Sequence, residues 1–173
     1  TAWENAAIAH ALLFEKISDV QIQLQFDRPA INLDHIRKLT TTLGMIQFAR
    51  LNQPDSDSGY TLDDNARALI AMCQHYELTR EEADIKYIII YFNFIKYCFQ
   101  PGGNFLNYVD KQSVFTGQNN STNLADANGR AIWALGYLIS VSDVLPEALR
   151  LVREEALSIL QKALLNINKI HST

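Results

Sequence analysis

The run Asp63-Asp64-Asn65-Ala66-Arg67-Ala68-Leu69-Ile70-Ala71-Met72 aligns without a gap on Asp126-Ala127-Asn128-Gly129-Arg130-Ala131-Ile132-Trp133-Ala134-Leu135, 63 residues further on. Asp, Asn, Arg and two Ala are identical. The other substitutions keep apolar with apolar, except Asp64 against Ala127. A period of about 63 residues exceeds the ~34-residue tetratricopeptide and ~33-residue ankyrin units, and suits longer helical hairpins with large loops at one end.

Each copy opens a helix. Ala66, Leu69, Ile70 and Cys73 follow the i, i+3, i+4, i+7 template, as do Ile85, Ile88, Ile89, Phe92, Ile95 and Phe99 in a partner helix over 80–99. These two form an antiparallel hairpin. A helix over 125–140 and a final one over 147–169, after Pro146, form a second. The expected fold is therefore all-α, a partial (α/α) toroid of antiparallel hairpins whose repeated helices line an inner ring. Ala66, Ala68, Ala71, Ala127, Gly129, Ala131, Ala134 and Gly136 supply little side-chain bulk, so neighbouring inner helices can pack closely.

Ahead of the hairpins, Trp3, Ala6, Ala7, His10, Phe14 and Ile17 share one helical stripe over 2–17. Val20 to Phe26 alternates with a period of two, the one strand signal in the chain, and ends at Pro29. A short helix over 33–41 stops at Gly44. Residues 1–32 are expected to be an N-terminal helix and connecting segment, and 33–173 an incomplete toroid-like domain. Polar loops over 52–60 and 100–124 precede the repeated helices, and a loop as long as the second is often functional.

Of the 173 residues, 48% are hydrophobic and 20% charged, the balance of a packed globule. The net charge of −4 comes from scattered residues without a Lys/Arg stripe, which argues against nucleic acid and anionic membrane surfaces as partners. The most apolar stretch, Ile85 to Phe99, is interrupted by Lys86, Asn93 and Lys96 and falls short of the ~20 residues that span a bilayer. Cys73 and Cys98 read as buried free thiols. His10, His35, His75 and His171 have no metal-ligand spacing, and no phosphate-binding glycine loop occurs, so no metal or cofactor is expected. The chain starts at Thr1 without a signal-peptide pattern. It is expected to be a cytoplasmic piece of a longer protein.

The polar part of the signature admits two readings. Asp63, Asp64 and Asp126 fall in first helical turns, where carboxylates meet unpaired N–H groups, and Arg67 and Arg130 lie at i+4 from Asp63 and Asp126. Caps and intrahelical bridges account for all of this. Alternatively, both signatures surround one cavity and face a polar ligand.

At Gly59-Tyr60-Thr61-Leu62-Asp63-Asp64-Asn65-Ala66-Arg67-Ala68-Leu69 and at Ala125-Asp126-Ala127-Asn128-Gly129-Arg130-Ala131-Ile132-Trp133-Ala134-Leu135-Gly136, the sequence resembles bacterial six-hairpin glycosidase-like (α/α) toroid domains. Such domains are often fused behind a glycosyltransferase. The resemblance spans about residues 33–138 and implies carbohydrate metabolism. The opening Trp3-Glu4-Asn5-Ala6-Ala7 also looks like the last helix of a two-Rossmann-domain glycosyltransferase. The family's second motif is commonly Glu-Asp-Ser-His-Gly-Arg, whereas Ala125 and Asn128 stand here where the Glu and the His would be. Sugar binding is therefore expected ahead of hydrolysis.

Hydrolysis would need two carboxyl groups across the bond, ~5 to 5.5 Å apart for retention or ~6.5 to 9.5 Å for inversion. Asp63, Asp64 and Asp126 are the catalytic candidates, with Asp110 as a further carboxylate. Tyr60, Phe105 and Trp133 can stack on sugar rings, Asn65, Asn107 and Asn128 offer paired donors and acceptors, and Arg67 and Arg130 complete the expected binding set. The expected function is glycan binding, with hydrolysis possible only in a longer protein. The alternative is a non-catalytic helical repeat that self-associates or docks to the rest of its parent.

Overall fold

A computed structural model describes residues 2–19 and 30–170. The alternating segment Val20 to Phe26 lies outside the described residues. The fold is helical, with six α-helices among the described residues: α1 (Ala2–Ser18), α2 (Asp34–Leu39), α3 (Leu62–Thr79), α4 (Ala83–Cys98), α5 (Ala125–Ser140) and α6 (Arg150–Ile170). The chain divides into two compact units, Thr1–Asn32 and Leu33–Thr173.

The first unit is built on α1, where Trp3, Phe14 and Ile17 of the expected stripe are exposed. Near its end, the Ser18 hydroxyl donates to the Phe14 carbonyl at 2.6 Å.

The second unit is two helical hairpins laid side by side. Arg80 ends α3 in the left-handed region at φ 59, its N–H returning to the Tyr76 carbonyl, and so turns the chain into α4 within a few residues. A 3₁₀ turn at Glu147–Leu149 leads into α6. α3 packs on α4 and α5, α5 on α6, and α4 on α6. Their apolar stripes meet in one core that includes Leu69, Met72, Ile88, Phe92, Ile95, Leu135, Leu138 and Leu149. Burial of a side chain of this size contributes roughly 1.5–3 kcal/mol, which fixes the faces that the 3.6-residue spacing selects.

The two helices that carry the matching sequence runs, α3 and α5, differ in how they are covered. On α3, Leu62, Ala66, Leu69, Cys73 and Tyr76 form one buried stripe. Their counterparts on α5 are Ala125 and Gly129, both exposed, and Ile132, Gly136 and Ile139, all half-buried. α3 has α4 and α5 packed against it, whereas α5 keeps one flank open. That flank and α6 enclose a groove of about 500 Å³ lined by Phe105, Leu124, Gly129, Ile132, Ala163 and Ile167, among others.

Short strands organise the loops: β1 (Ala49–Arg50), β2 (Gln53–Pro54), β3 (Tyr60–Thr61) and β4 (Tyr108–Val109). β1 and β2 form a small antiparallel hairpin, and β3 pairs antiparallel with β4 in the register Tyr60 to Val109 and Thr61 to Tyr108. The loop entering α3 is thereby tied to the loop entering α5. Two-residue strands carry no alternation, so none of the four was expected. Gly59, at φ 69, makes the close approach possible: a Cβ there would collide with the Val109 carbonyl oxygen.

Candidate functional site

The signature residues lie at the start of α3 and α5, where the long loops close over the helices. Asn65 is fully buried. Its Oδ1 accepts from the Met45 N–H at 2.7 Å, and its Nδ2 donates to the Met45 carbonyl at 3.3 Å and to the Thr61 carbonyl one turn back at 2.8 Å. Asn128 repeats the set. Its Oδ1 accepts from the Phe105 N–H at 2.8 Å, and its Nδ2 donates to the carbonyls of Phe105 at 3.0 Å and Leu124 at 2.9 Å. In each case a side-chain amide pairs with both the N–H and the carbonyl of one loop residue, just after a helix exit closed by an isolated bridge, Thr40 to Met45 or Phe99 to Phe105.

Two further asparagines extend this scaffold. The first N–H groups of α3 go to Asn107, Leu62 donating to its carbonyl at 2.9 Å and Asp63 to its Oδ1 at 3.2 Å. Asn107 is itself held through its N–H by Oδ1 of Asn119 at 2.8 Å. Asn119 also accepts from the Tyr108 N–H and donates to the carbonyls of Tyr108 and Thr116. Buried polar groups need such partners, and here the asparagines satisfy loop backbone that no regular sheet covers.

The acids and bases form a separate, more exposed layer. Arg67 reaches Asp63 at 3.0 Å and Asp64 at 2.6 Å, and the Thr61 hydroxyl donates to Asp64 at 2.6 Å. Arg130 Nε donates to Asp126 at 2.8 Å. The i+4 bridges expected from the spacing are present, whereas the cap positions of α3 and α5, Thr61 and Leu124, make no side-chain cap; Asn107 and Asn123 accept from N–H groups of the first turns instead. The hydrogen bond to Asp126, then its charge, and then the charges of Asp63 and Asp64, hold the Arg130 guanidinium above its ordinary pKa.

No protein-family model matches this sequence, and a search of the curated proteins finds no match. What the arrangement can do rests on its geometry.

Of the expected site residues, Asp63, Asp64 and Arg67 are joined at the start of α3, and Asp126 and Arg130 at the start of α5. Asn65, Asn107 and Asn128 point their polar atoms into the scaffold. Phe105 is fully buried against Phe99, and Tyr60 shares a 3.1 Å hydrogen bond with the Thr41 hydroxyl. Trp133 is 57% exposed on α5, one turn beyond Arg130. Asp110 accepts from the N–H groups of Gln112 and Val114, as a turn-forming carboxylate. Phe115 stacks on Tyr97 with ring centroids 4.9 Å apart. Cys73 and Cys98 are free and buried, and desolvation pushes the Cys73 thiol up to about 12, far from a reactive thiolate at neutral pH.

One charged cluster escaped the sequence reading. His75 Nδ1 lies 2.6 Å from Asp84 Oδ2, and Arg37 lies 2.9 Å from Glu81 and 3.6 Å from Asp84 Oδ1. These residues come from α2, α3, the α3–α4 turn and the start of α4, so no spacing rule joins them. Among the described residues, no helix is long and apolar enough to cross a membrane.

Proposed function

We propose that this chain is a structural module of stacked helical hairpins, a partial (α/α) toroid with a repeat of about 63 residues, in which the Asp/Asn/Arg signature holds each loop to its helix start. The observation that carries this reading is the matched hydrogen bonding of Asn65 to Met45 and of Asn128 to Phe105. A ligand site needs free donors and acceptors, and these two amides have theirs occupied by backbone. The open flank of α5 supports a docking role: the counterpart stripe on α3 is buried, and the occupant that fits is another small-residue helix of the same kind. Two buried, unpaired thiols fit a reducing, cytoplasmic setting.

A second reading, glycan binding of the kind the six-hairpin resemblance implies, is favoured by the rim itself. Asp126 and Arg130 share a solvent-facing surface with the exposed indole of Trp133. Bidentate polar groups beside an aromatic face are the usual furniture of sugar recognition. Hydrolysis has less support, since Ala125 and Asn128 replace the family's Glu and His, and the three carboxylates are drawn onto two arginines.

A glycan array with calorimetry, run on the wild-type chain and on Asp126→Ala/Arg130→Ala, separates the two. Under the structural reading neither protein binds, and Asn65→Ala or Asn128→Ala lowers the melting temperature sharply. Binding that disappears in the Asp126→Ala/Arg130→Ala variant while its circular dichroism is unchanged would replace it with the glycan reading.

A further inference from the structure

Asp84 is the one fully buried acid among the described residues, and its Oδ1 has no hydrogen-bond partner. Its other oxygen holds His75 at 2.6 Å, and the nearest cation, Arg37, stops 3.6 Å from Oδ1. Arg37 is also incompletely satisfied, its buried Nε having no partner. A buried carboxylate oxygen without a hydrogen bond is costly. The ligand-type atoms of His75, Glu81 and Asp84 lie within 4.8 Å of one another.

We propose that His75, Glu81 and Asp84 form a binding site for a divalent transition-metal ion of the zinc type, and that the Arg37 guanidinium is its displaceable occupant. The donor set suits zinc, which takes imidazole nitrogen and carboxylate oxygen at ~2.0–2.2 Å and accepts three protein ligands plus water. Such ligands lie roughly 3.3 Å apart around a tetrahedral ion, so the 2.6 Å contact between His75 and Asp84 must open slightly while the wider cluster contracts. Glu81 can supply that movement, because it sits in the exposed turn between α3 and α4 with its side chain 44% exposed. Charge balances as well: two carboxylates and a neutral imidazole are neutralised by a doubly charged ion, after which Arg37 is surplus. A cleft of about 290 Å³, lined by Arg37 itself with Thr41, Thr42, Lys86 and Tyr87, gives the released side chain room.

The test is zinc calorimetry on the chelator-stripped chain, paired with the visible spectrum of the cobalt-substituted protein. The wild type is expected to bind one ion per chain with tetrahedral cobalt bands. His75→Gln is expected to lose both, with Glu81→Gln, in the exposed turn, carrying the comparison if His75→Gln does not fold. Arg37→Ala is expected to bind about tenfold tighter, since the competent state no longer requires expulsion of the guanidinium. No saturable binding by either wild type or Arg37→Ala overturns the proposal. So does binding unchanged in both His75→Gln and Glu81→Gln, which would place the ion on other histidines.

Discussion

Asn128 and Phe105 are joined by a pair of hydrogen bonds, the Phe105 N–H donating to Oδ1 at 2.8 Å and Nδ2 donating to the Phe105 carbonyl at 3.0 Å, across 23 residues of sequence. Each is half of a junction that Asn65 and Met45 make again at the other hairpin. In both places the amide does the work of a short sheet strand, closing loop backbone that would otherwise be buried without partners.

Asn65→Ala is accordingly expected to destabilise the chain by about 3 kcal/mol, since a buried donor and two carbonyls lose their partners at once. Asn128→Ala, at a half-buried position, is expected to cost about 1–2 kcal/mol. Asn65→Asp should be the worst of the three, because it sets a carboxylate oxygen against the Met45 and Thr61 carbonyls. Urea unfolding followed by circular dichroism measures all three.

The arginine layer should behave differently. Arg67→Ala removes bridges in which the arginine is 50% exposed, and is expected to change stability by less than about 1 kcal/mol. A loss as large as that of Asn65→Ala in the same urea titration would show that the rim, and not the amide scaffold, holds the loops.

Gly59→Ala is expected to destabilise by at least about 1 kcal/mol. The residue sits at φ 69, and its new methyl meets the Val109 carbonyl oxygen. Amide exchange at Tyr60 and Val109, the register partners of β3 and β4, should accelerate first.

Alkaline pH should weaken the fold through its buried thiols. Cys73 ordinarily titrates near 9.0, and burial raises it to about 12 in the folded chain. Between those values the unfolded chain has released a proton that the native one keeps, so stability falls as pH rises. It is fully present below pH 9 and lost progressively up to about 12. The slope from this group approaches about 1.4 kcal/mol per pH unit. Cys73→Val, compared by urea unfolding at pH 8 and pH 11, should flatten it. A thiol reagent should leave both cysteines of the native chain unmodified at neutral pH.

Much of this fold is legible in the sequence because apolar side chains at 3.6-residue spacing have one stable destination. The stripes through Leu69 and Cys73, and through Ile88, Phe92 and Ile95, are buried as expected. The i+4 bridges of Arg67 and Arg130 follow from helix geometry alone. The partners of Asn65 and Asn128 were not legible, because they are backbone atoms of loop residues whose position depends on the whole loop path. Phe105 carries the same lesson: an aromatic in a polar loop looks available, yet it fills the space under α5. The Arg37, Asp84 and His75 cluster escaped because its members meet only after α2, α3 and α4 have packed.

The pairing of β3 with β4 has a kinetic consequence. Tyr60 and Val109 are separated by the whole of the α3–α4 hairpin, yet α3 does not gain partners for its first N–H groups until Asn107 arrives beside them. Hairpin collapse is local and fast, whereas closing a loop of this span is entropically costly and slow. The chain should therefore fold in order, with α3 and α4 zipping together while the start of α3 stays frayed. Capture of residues 107–109 then becomes the late event that locks both hairpins into one cooperative body.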